Sequence, residues 1–145
     1  MEQAAAADKA AALIADILAR FHETHRAELP ELVALARAQA PGLLVPLQDL
    51  AVALELHMFK EEARLFPMME QGGNTLIGHL IQDLAAEHRQ HEVAVARLQA
   101  QLTGQAADAR PVPSALHRGL HKLLTDLQAH VQVEDEELFP LFAPR

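Results

Sequence analysis

Two segments of the chain carry a histidine and a glutamate four residues apart. Both read His-x-x-x-Glu-acidic-x-x-Leu-Phe-Pro, the first from His57 with Glu61 and the second from His130 with Glu134. On a helix, a spacing of four places both side chains on one face, one turn apart. Imidazole and carboxylate groups placed in this way can bind a metal ion. The repeat therefore predicts a metal site built from two related halves.

Two further segments carry pairs of histidines three residues apart, His22 with His25 and His88 with His91. They alternate along the chain with the His-x-x-x-Glu segments, so that each half of the chain has one segment of either kind. We therefore expect the halves to be related by a pseudo-two-fold axis. Each half would give two histidines and one glutamate to a shared site.

Helix-breaking residues show which elements must position these side chains. Breaks fall at Pro41-Gly42, at Gly72-Gly73-Asn74 and over residues 103–113, which are rich in Gly, Ala and Pro. The intervening stretches predict helices at about 5–40, 43–70, 75–102 and 114–138. Because the connections are short, neighbouring helices should be antiparallel. The predicted fold class is all-α, an up-down-up-down four-helix bundle.

The predicted bundle brings four histidines to one level. Counted in residues along the chain, His57 and His88 are equally far from the two glycines of the second break. In the same way, His88 and His130 are equally far from the middle of the third break. His22 falls close to the same level when it is measured from the first break. Antiparallel helices place residues equally far from a turn beside each other. The four histidines should therefore form one layer.

Apolar residues at alternating spacings of three and four mark the buried face of each helix. In the third helix this series is Ile77, Ile81, Leu84, His88, His91, Val95, Leu98 and Leu102. The corresponding series of the first helix includes Leu18, and that of the second helix ends at Met68. Histidine and glutamate interrupt the stripes at positions where leucine otherwise stands. A buried carboxylate is costly unless it is paired or binds a metal, so these interruptions favour a metal centre.

Two imidazoles with one carboxylate are typical ligands of non-haem Fe(II) and leave coordination positions open. Doubled about a two-fold axis, they predict two iron ions bridged by two glutamates and an oxo or hydroxo group, with manganese or zinc as alternatives. The candidate ligands are His22, His57, Glu61, His88, His130 and Glu134. The sequence has no cysteine, which excludes a thiolate zinc site, and its histidines do not suit Ca²⁺ or Mg²⁺.

Composition limits the remaining classes of function. The 145 residues predict a single domain, 1–145, and the formal charge of −8 argues against nucleic-acid or anionic-membrane partners. The first twenty residues are Ala-rich but carry charges throughout, unlike a secretory signal. No uninterrupted apolar run approaches the ~18 residues of a membrane span. We therefore expect a cytoplasmic protein.

The chain resembles the hemerythrin-like (HHE) domain family at these residues, and more closely its iron-centre repair proteins. The resemblance runs from about residue 14 to 142 and includes Arg-Phe-His-x-x-His-Arg-x-x-Leu-Pro-Glu-Leu from Arg20, His-Met-x-Lys-Glu-Glu from His57, Glu87-His88 and the motif from His130. It implies terminal iron ligation by the four layered histidines and bridging by the two glutamates.

The sequence departs from the family pattern in two respects. Members usually have a further ligating histidine late in the first helical region, but no residue between His25 and His57 is a histidine. His91 or His25 could substitute, although a supporting role is favoured for both. Longer repair proteins also carry a small Cys-containing N-terminal domain, which we do not expect here, and this makes iron-sulfur repair less favoured.

The function predicted from these features is a di-iron protein that binds a small diatomic ligand, nitric oxide or dioxygen, in stress response, sensing or storage. One alternative is an iron-donating, NO-processing or peroxide-processing di-iron enzyme of the cluster repair type. Another is a structural helical interaction module. Tyr and Trp are both missing from the sequence, which argues against a tyrosyl-radical oxidase. We assign no catalytic side chain, and the oligomeric state is left open.

Overall fold

The computed structural model describes residues 2–142, which form four long helices and no strands. Helix α1 consists of Glu2–Ile17, Leu18–His22 and Glu23–Gln39, and helix α2 of Leu44–Lys60, Glu61–Leu65 and Phe66–Glu70. Helix α3 is Ile77–Thr103, and helix α4 consists of Ser114–Val133 and Glu134–Leu138. Short 3₁₀ turns lie at Pro41–Leu43 and Phe139–Leu141. The prediction of an all-α four-helix bundle is confirmed.

Neighbouring helices are antiparallel because the connections between them are short. The beginning of α1 packs against the end of α2, and α3 packs against both α2 and α4. The second half of α1 packs against α4, which closes the bundle. Gly72 and Gly73, with φ of 95° and 85°, shape the turn between α2 and α3, where a residue with a Cβ would be strained. This up-down-up-down order places one side chain from every helix at each level.

The hydrophobic core is divided into two parts by a polar layer. The upper cluster lies toward the end of the bundle that has the first and third connections, and it includes Leu29, Leu47, Leu98 and Leu120. The lower cluster includes Ile14, Phe66, Leu84 and Leu138. The layer between them contains eight buried polar side chains: His22, His25, His57, Glu61, His88, His91, His130 and Glu134. Apolar packing above and below therefore isolates these groups from bulk water.

Three of the helices change from α to π hydrogen bonding beside the polar layer. The segments are Leu18–His22, Glu61–Leu65 and Glu134–Leu138, and each is closed by a backbone N–H that donates to the carbonyl five residues earlier. A π turn holds one residue more than an α turn, and such turns are frequent at functional sites. Each of the three segments contains one of the candidate ligands.

The π turns explain where the predicted apolar stripes are wrong by one residue. Met69 is fully buried in α2 in place of the expected Met68, and Ile17 is fully buried in α1 in place of Leu18. The extra residue of a π turn rotates the helix beyond it by about one position. A regular helical period extended through the motif therefore loses its register there.

The stretch Pro41–Glu70 is long and apolar enough to cross a membrane when judged by length and composition alone. An 18-residue window within this stretch has a mean hydropathy of 1.3. Among residues 2–142, one helix meets this criterion. This window includes polar residues, and so differs from the uninterrupted run sought in the sequence. The core helices of bundles pass the same test. Here the stretch carries His57 and Glu61 into the polar layer.

Candidate metal centre

The two His-x-x-x-Glu motifs meet at the centre of the bundle. In α2 and in α4, the spacing of four places histidine and glutamate on the inner face at the start of a π turn. Both glutamates, Glu61 and Glu134, are completely buried. His22 from α1 and His88 from α3 complete the layer, and both are also buried.

These side chains form two groups of four that share both glutamates. One group is His22, Glu61, His130 and Glu134, and the other is His57, Glu61, His88 and Glu134. Within each group, the four potential ligand atoms all lie within 4.8 Å of one another. The structure therefore contains a buried di-metal site of histidine and glutamate, with two carboxylates common to both metal positions.

Each glutamate directs one of its two carboxylate oxygens to the first group and the other oxygen to the second group. Glu61 Oε1 lies 3.2 Å from His22 Nε2, and Glu61 Oε2 lies 3.5 Å from His57 Nε2. Glu134 Oε2 lies 2.9 Å from His130 Nε2, and Glu134 Oε1 lies 2.8 Å from His88 Nε2. This is the arrangement required of two carboxylates that bridge a pair of metal ions.

Several of the inward-facing atoms lack the hydrogen bonds that burial normally demands. Within residues 2–142, His22 Nε2 and both oxygens of Glu61 have no hydrogen-bond partner, although His22 and Glu61 are in contact. Unsatisfied buried polar atoms are rare in folded proteins, and a site for a bound ion is one of the recognised reasons for them. A cation between these atoms would satisfy all three, so the residues fit a metal pair.

The two carboxylates differ in their protonation in the metal-free arrangement. Burial, followed by repulsion from Glu134, raises the pKa of Glu61 well above its usual value. Burial also opposes ionisation of Glu134, but attraction and a hydrogen bond from His130, with hydrogen bonds from His57 and His88, hold its pKa well below the usual value. Two carboxylates this close favour sharing one proton, and a bound cation would replace it.

The outward-facing nitrogen of three candidate histidines is bonded to a carboxylate on a neighbouring helix. His22 Nδ1 lies 2.6 Å from Glu62 and His57 Nδ1 lies 2.9 Å from Glu87. His88 Nδ1 lies 2.8 Å from Asp135. Donation of the Nδ1–H to a carboxylate leaves Nε2 unprotonated and directed into the site, as a metal ligand requires.

Each of these three carboxylates also pairs with a cation farther from the centre. Arg26 Nη1 donates to Glu62 over 2.7 Å, and Lys60 Nζ donates to Glu87 over 2.7 Å. Arg89 donates to Asp135. Burial alone would raise the pKa of all three carboxyls, but these cations and the histidines hold each pKa below its usual value. The carboxylates therefore remain ionised and fix the histidine tautomers.

His130 has an imidazole partner where the other three have carboxylates. Its Nδ1 lies 3.2 Å from Nε2 of His25, which is completely buried. Phe21 stacks on the His130 ring with centroids 4.9 Å apart and an interplanar angle of 6°. Burial, followed by repulsion from His130, lowers the pKa of His25 to about 3, so its Nε2 accepts the hydrogen bond from His130 as a neutral base.

His91 occupies the matching position on α3 but lies outside both groups of four. Its ring centroid is 5.0 Å from that of His57 and 6.3 Å from that of His88. Burial, followed by repulsion from His57, lowers its pKa to about 4, so its ring is neutral. Both additional candidates, His25 and His91, therefore lie beside the two groups of four and contact their histidines.

All six principal candidates from the sequence come together, but their surroundings were only partly foreseen. Glu62 and Asp135 follow the motif glutamates, so the repeat itself pointed to them as possible partners. Glu87 had no such signal, because it precedes His88 on α3 and yet bonds to His57 on α2. Only the packing of the two helices reveals that contact.

Comparison with known proteins agrees with this geometry. Residues 13–142 match the family model described as the hemerythrin HHE cation binding domain, and the chain belongs to that family. It is 32% identical over 142 residues to a probable iron-sulfur cluster repair protein of Haemophilus influenzae. It is 33% identical over 140 residues to the iron-sulfur cluster repair protein YtfE of Yersinia pseudotuberculosis, and 32% identical to that of Dickeya chrysanthemi.

The relatives are longer than the matched region. The alignments cover 90% of this chain and 64% of the Haemophilus protein, and 88% of this chain and 63% of the Yersinia protein. The chain therefore spans less than two thirds of the length of these relatives. The family match over residues 13–142 includes most of the bundle and all of its histidine and glutamate layer.

Proposed function

We propose that this chain is a non-haem di-iron protein that binds a small diatomic ligand, nitric oxide or dioxygen, in stress response, sensing or storage. The observation that carries the proposal is the pair of groups that share Glu61 and Glu134. Each metal position has two imidazole nitrogens and two carboxylate oxygens. Such a set leaves coordination positions open for a bridging oxygen and for a small exogenous ligand.

The donor set favours iron over manganese and zinc. Imidazole and carboxylate ligands in a buried, partly open site are typical of non-haem iron, and thiolates are missing from the sequence. When bound, an iron pair would supply redox-active Lewis acids for a diatomic ligand. The chain holds the Nε2 atoms inward through Glu62, Glu87, Asp135 and His25, and its two apolar clusters keep bulk water away.

Metal content and absorption of the purified protein test the proposal. We expect about two iron ions per chain, one per group, with near-ultraviolet oxo-bridge absorption that is easily seen because Tyr and Trp are missing from the sequence. Zinc or manganese at the same stoichiometry would refute the iron assignment. A protein without metal after growth in iron-rich medium, and unable to bind iron, would refute the proposal as a whole.

A matched pair of variants separates the bridging glutamates from acidic surface residues. Glu134→Ala removes a ligand common to both groups, so the iron content should fall below about one per chain. Glu137→Ala changes an exposed residue of the same helical segment and should leave the iron content unchanged. Circular dichroism checks that both variants remain helical. Equal iron retention in the two folded variants would contradict the assignment.

The second candidate function is iron donation for cluster repair, and the relatives favour it. Their names describe iron-sulfur cluster repair, and the chain shares about a third of its aligned residues with them. The test is transfer of iron from the loaded protein to a metal-free cluster protein, compared with an equal amount of free iron. Faster transfer from the protein, or turnover of peroxide or nitric oxide above the free-iron rate, would favour an enzyme.

A purely structural bundle is the third candidate, and the buried carboxylates argue against it. Glu61 and Glu134 lie side by side without exposure to solvent. Burial of two such groups is costly, and leucine at both positions would make a more stable core. If the bundle had only a structural role, the double variant Glu61→Leu with Glu134→Leu should be more stable than the parent. Greater stability of that double variant than of the iron-loaded parent would support the structural reading.

A further inference from the structure

A cleft of about 420 Å³ opens between α3 and α4 and reaches the polar layer. Val95 and Val131 form apolar parts of its wall, and His91 and Asp135 also line it. His91 lies 5.0 Å from His57 between ring centroids, and Asp135 accepts the hydrogen bond from His88. The cleft therefore ends beside the metal position formed by His57 and His88.

His91 presents an available polar atom to this cleft. The residue is only 4% exposed, and within the described residues its Nδ1 has no hydrogen-bond partner. The Nδ1 of its counterpart His25 also has no partner within the described residues, but the Nε2 of His25 bonds to His130. The corresponding bond from His57 is taken by Glu87, so His91 makes no such bond and lines the cleft instead.

At the matching position between α1 and α2, a cleft of about 660 Å³ ends at Arg26 and Glu55, and neither His25 nor Met58 lines it. Arg26 from α1 donates to Glu55 over 3.0 Å and to Glu62 over 2.7 Å, which ties the two helices together beside His25. Met58 on α2 is completely buried. A route to the first metal position along this face would require both obstacles to move.

The corresponding residues of the second half leave the cleft open. Glu92 and Gln128 occupy the positions that correspond to Arg26 and Glu55, so these two residues do not join α3 to α4 by an ion pair. Val131 occupies the place of the buried methionine and is smaller. The cation that pairs with Asp135 is Arg89, about one turn earlier on α3. The sequence of α3 and α4 thus keeps space beside His91.

We propose that this cleft is the route by which a diatomic ligand reaches the metal position of His57 and His88, and that His91 hydrogen-bonds the ligand there. This inference rests on the proposed function. The imidazole of His91 has a ring N–H that can donate to the ligand. The route serves one metal position, since the cleft on the equivalent face of the first half is not lined by His25 or Met58.

The charge at the mouth of the cleft indicates the class of ligand. Glu92, Asp135 and Glu136 outnumber Arg89 among the charged residues that line it. An acidic mouth repels anions and leaves uncharged molecules unaffected. The cleft therefore selects uncharged diatomic molecules, such as nitric oxide and dioxygen, over small anions such as azide.

Closing the cleft with the residue of the other half tests the route. Val131→Met in the iron-loaded chain should slow association of nitric oxide, measured by stopped-flow absorbance, by about tenfold at unchanged iron content. The control is Met58→Leu, a volume-conserving change at the matching position of the first half, which should leave the rate unchanged. Parental rates in a fully loaded Val131→Met protein would overturn the route and leave the proposed function standing.

Replacing His91 tests its role at the inner end. His91→Phe keeps the ring and removes the donor, so dissociation of nitric oxide should be about fivefold to tenfold faster at full iron content. An unchanged dissociation rate would overturn the hydrogen bond. Loss of iron from this variant would overturn it also, because His91 would then be a ligand.

A third experiment tests the cleft without iron. Dissolved dioxygen is paramagnetic and speeds the relaxation of methyl protons that it touches, which NMR can measure in the full chain with diamagnetic Zn²⁺ present. We expect larger enhancements for the methyl groups of Val95 and Val131 than for that of Met58. Equal enhancements would overturn the route whatever the metal content. Failure of the proposed function would instead appear as a missing metal centre.

Discussion

The first half of the molecule, α1 with α2, and the second half, α3 with α4, present the same ligands in different surroundings. Phe21 of the first half corresponds to Glu87 of the second, and His25 corresponds to His91. Because Phe21 cannot accept a hydrogen bond, His130 takes its partner from His25. Because Glu87 can, His57 bonds to it and His91 remains available. One substitution between the halves thus changes two contacts.

The two metal positions can therefore differ in affinity although their ligands are equivalent. His57 and His88 both donate to carboxylates, which makes their Nε2 atoms stronger bases. On the other side, His22 donates to a carboxylate but His130 donates to a neutral imidazole. We therefore expect the metal of the His57 and His88 group to be held more tightly and to accept the exogenous ligand.

The largest expected effect separates shared ligands from those of one half. Glu61→Ala removes a bridge between the groups, so both ions should be lost and the iron content should fall well below about one per chain. His22→Ala removes a ligand of one group and should leave about one iron. Metal analysis of both proteins checks this. Equal iron content in the two would show that Glu61 does not bridge.

Changing the partners of the histidines should have the next largest effect. Glu87→Gln should weaken metal binding at the His57 and His88 group about tenfold to 100-fold, because outer carboxylates tune ligand basicity. His25→Phe should weaken the other group less, since a neutral imidazole contributes less. Competition with a chelator measures both affinities. A larger loss for His25→Phe would reverse the proposed ranking of the two positions.

Acidity should also distinguish the halves. Burial opposes the charge on His88, but hydrogen bonds to Asp135 and Glu134 raise its pKa to about 9. Burial, followed by repulsion from His130, lowers the pKa of the equivalent His22 to about 4. At pH 7 the metal-free chain therefore carries a second ring proton, and so a positive charge, on His88, whereas His22 is neutral.

Metal binding must displace the proton of His88 and that of Glu61, whose pKa is raised. Affinity should accordingly rise with pH up to about 9, by about tenfold per pH unit for each proton released. Above that pH the proton on His88 is already gone and its contribution ends. Chelator competition across pH 6 to 9 gives the slope. An affinity independent of pH would show that neither proton is present.

The smallest expected effect concerns stability of the loaded protein. His25→Leu leaves the buried Nδ1 of His130 without its acceptor, which should lower the free energy of unfolding by about 1–3 kcal/mol. His91→Leu removes a ring whose Nδ1 has no partner within the described chain, and it should cost less than about 1 kcal/mol. Chemical denaturation at saturating metal compares them. Equal losses would mean that the two histidines have the same role.

Much of the centre could be predicted from residue type and spacing. The repeat of His-x-x-x-Glu marked His57, Glu61, His130 and Glu134, because a helix turns a spacing of four into a shared face. Counting from the breaks brought in His22, since antiparallel helices align residues at equal distance from a turn. The π turns could not be predicted in this way, because the choice between i→i+4 and i→i+5 bonding depends on how the ends of the bundle pack.

The helices, their order and the level at which polar groups enter the core follow from the amino-acid sequence alone, because local periodicity and the lengths of the connections fix them. The acceptor that each histidine obtains depends instead on how the helices pack. Hydrogen bonds between helices depend on the rotation of each helix about its axis, and a single π turn changes that rotation by about one residue. The bond from His57 to Glu87, the bond from His130 to His25 and the free nitrogen of His91 within the described chain all arise at that level.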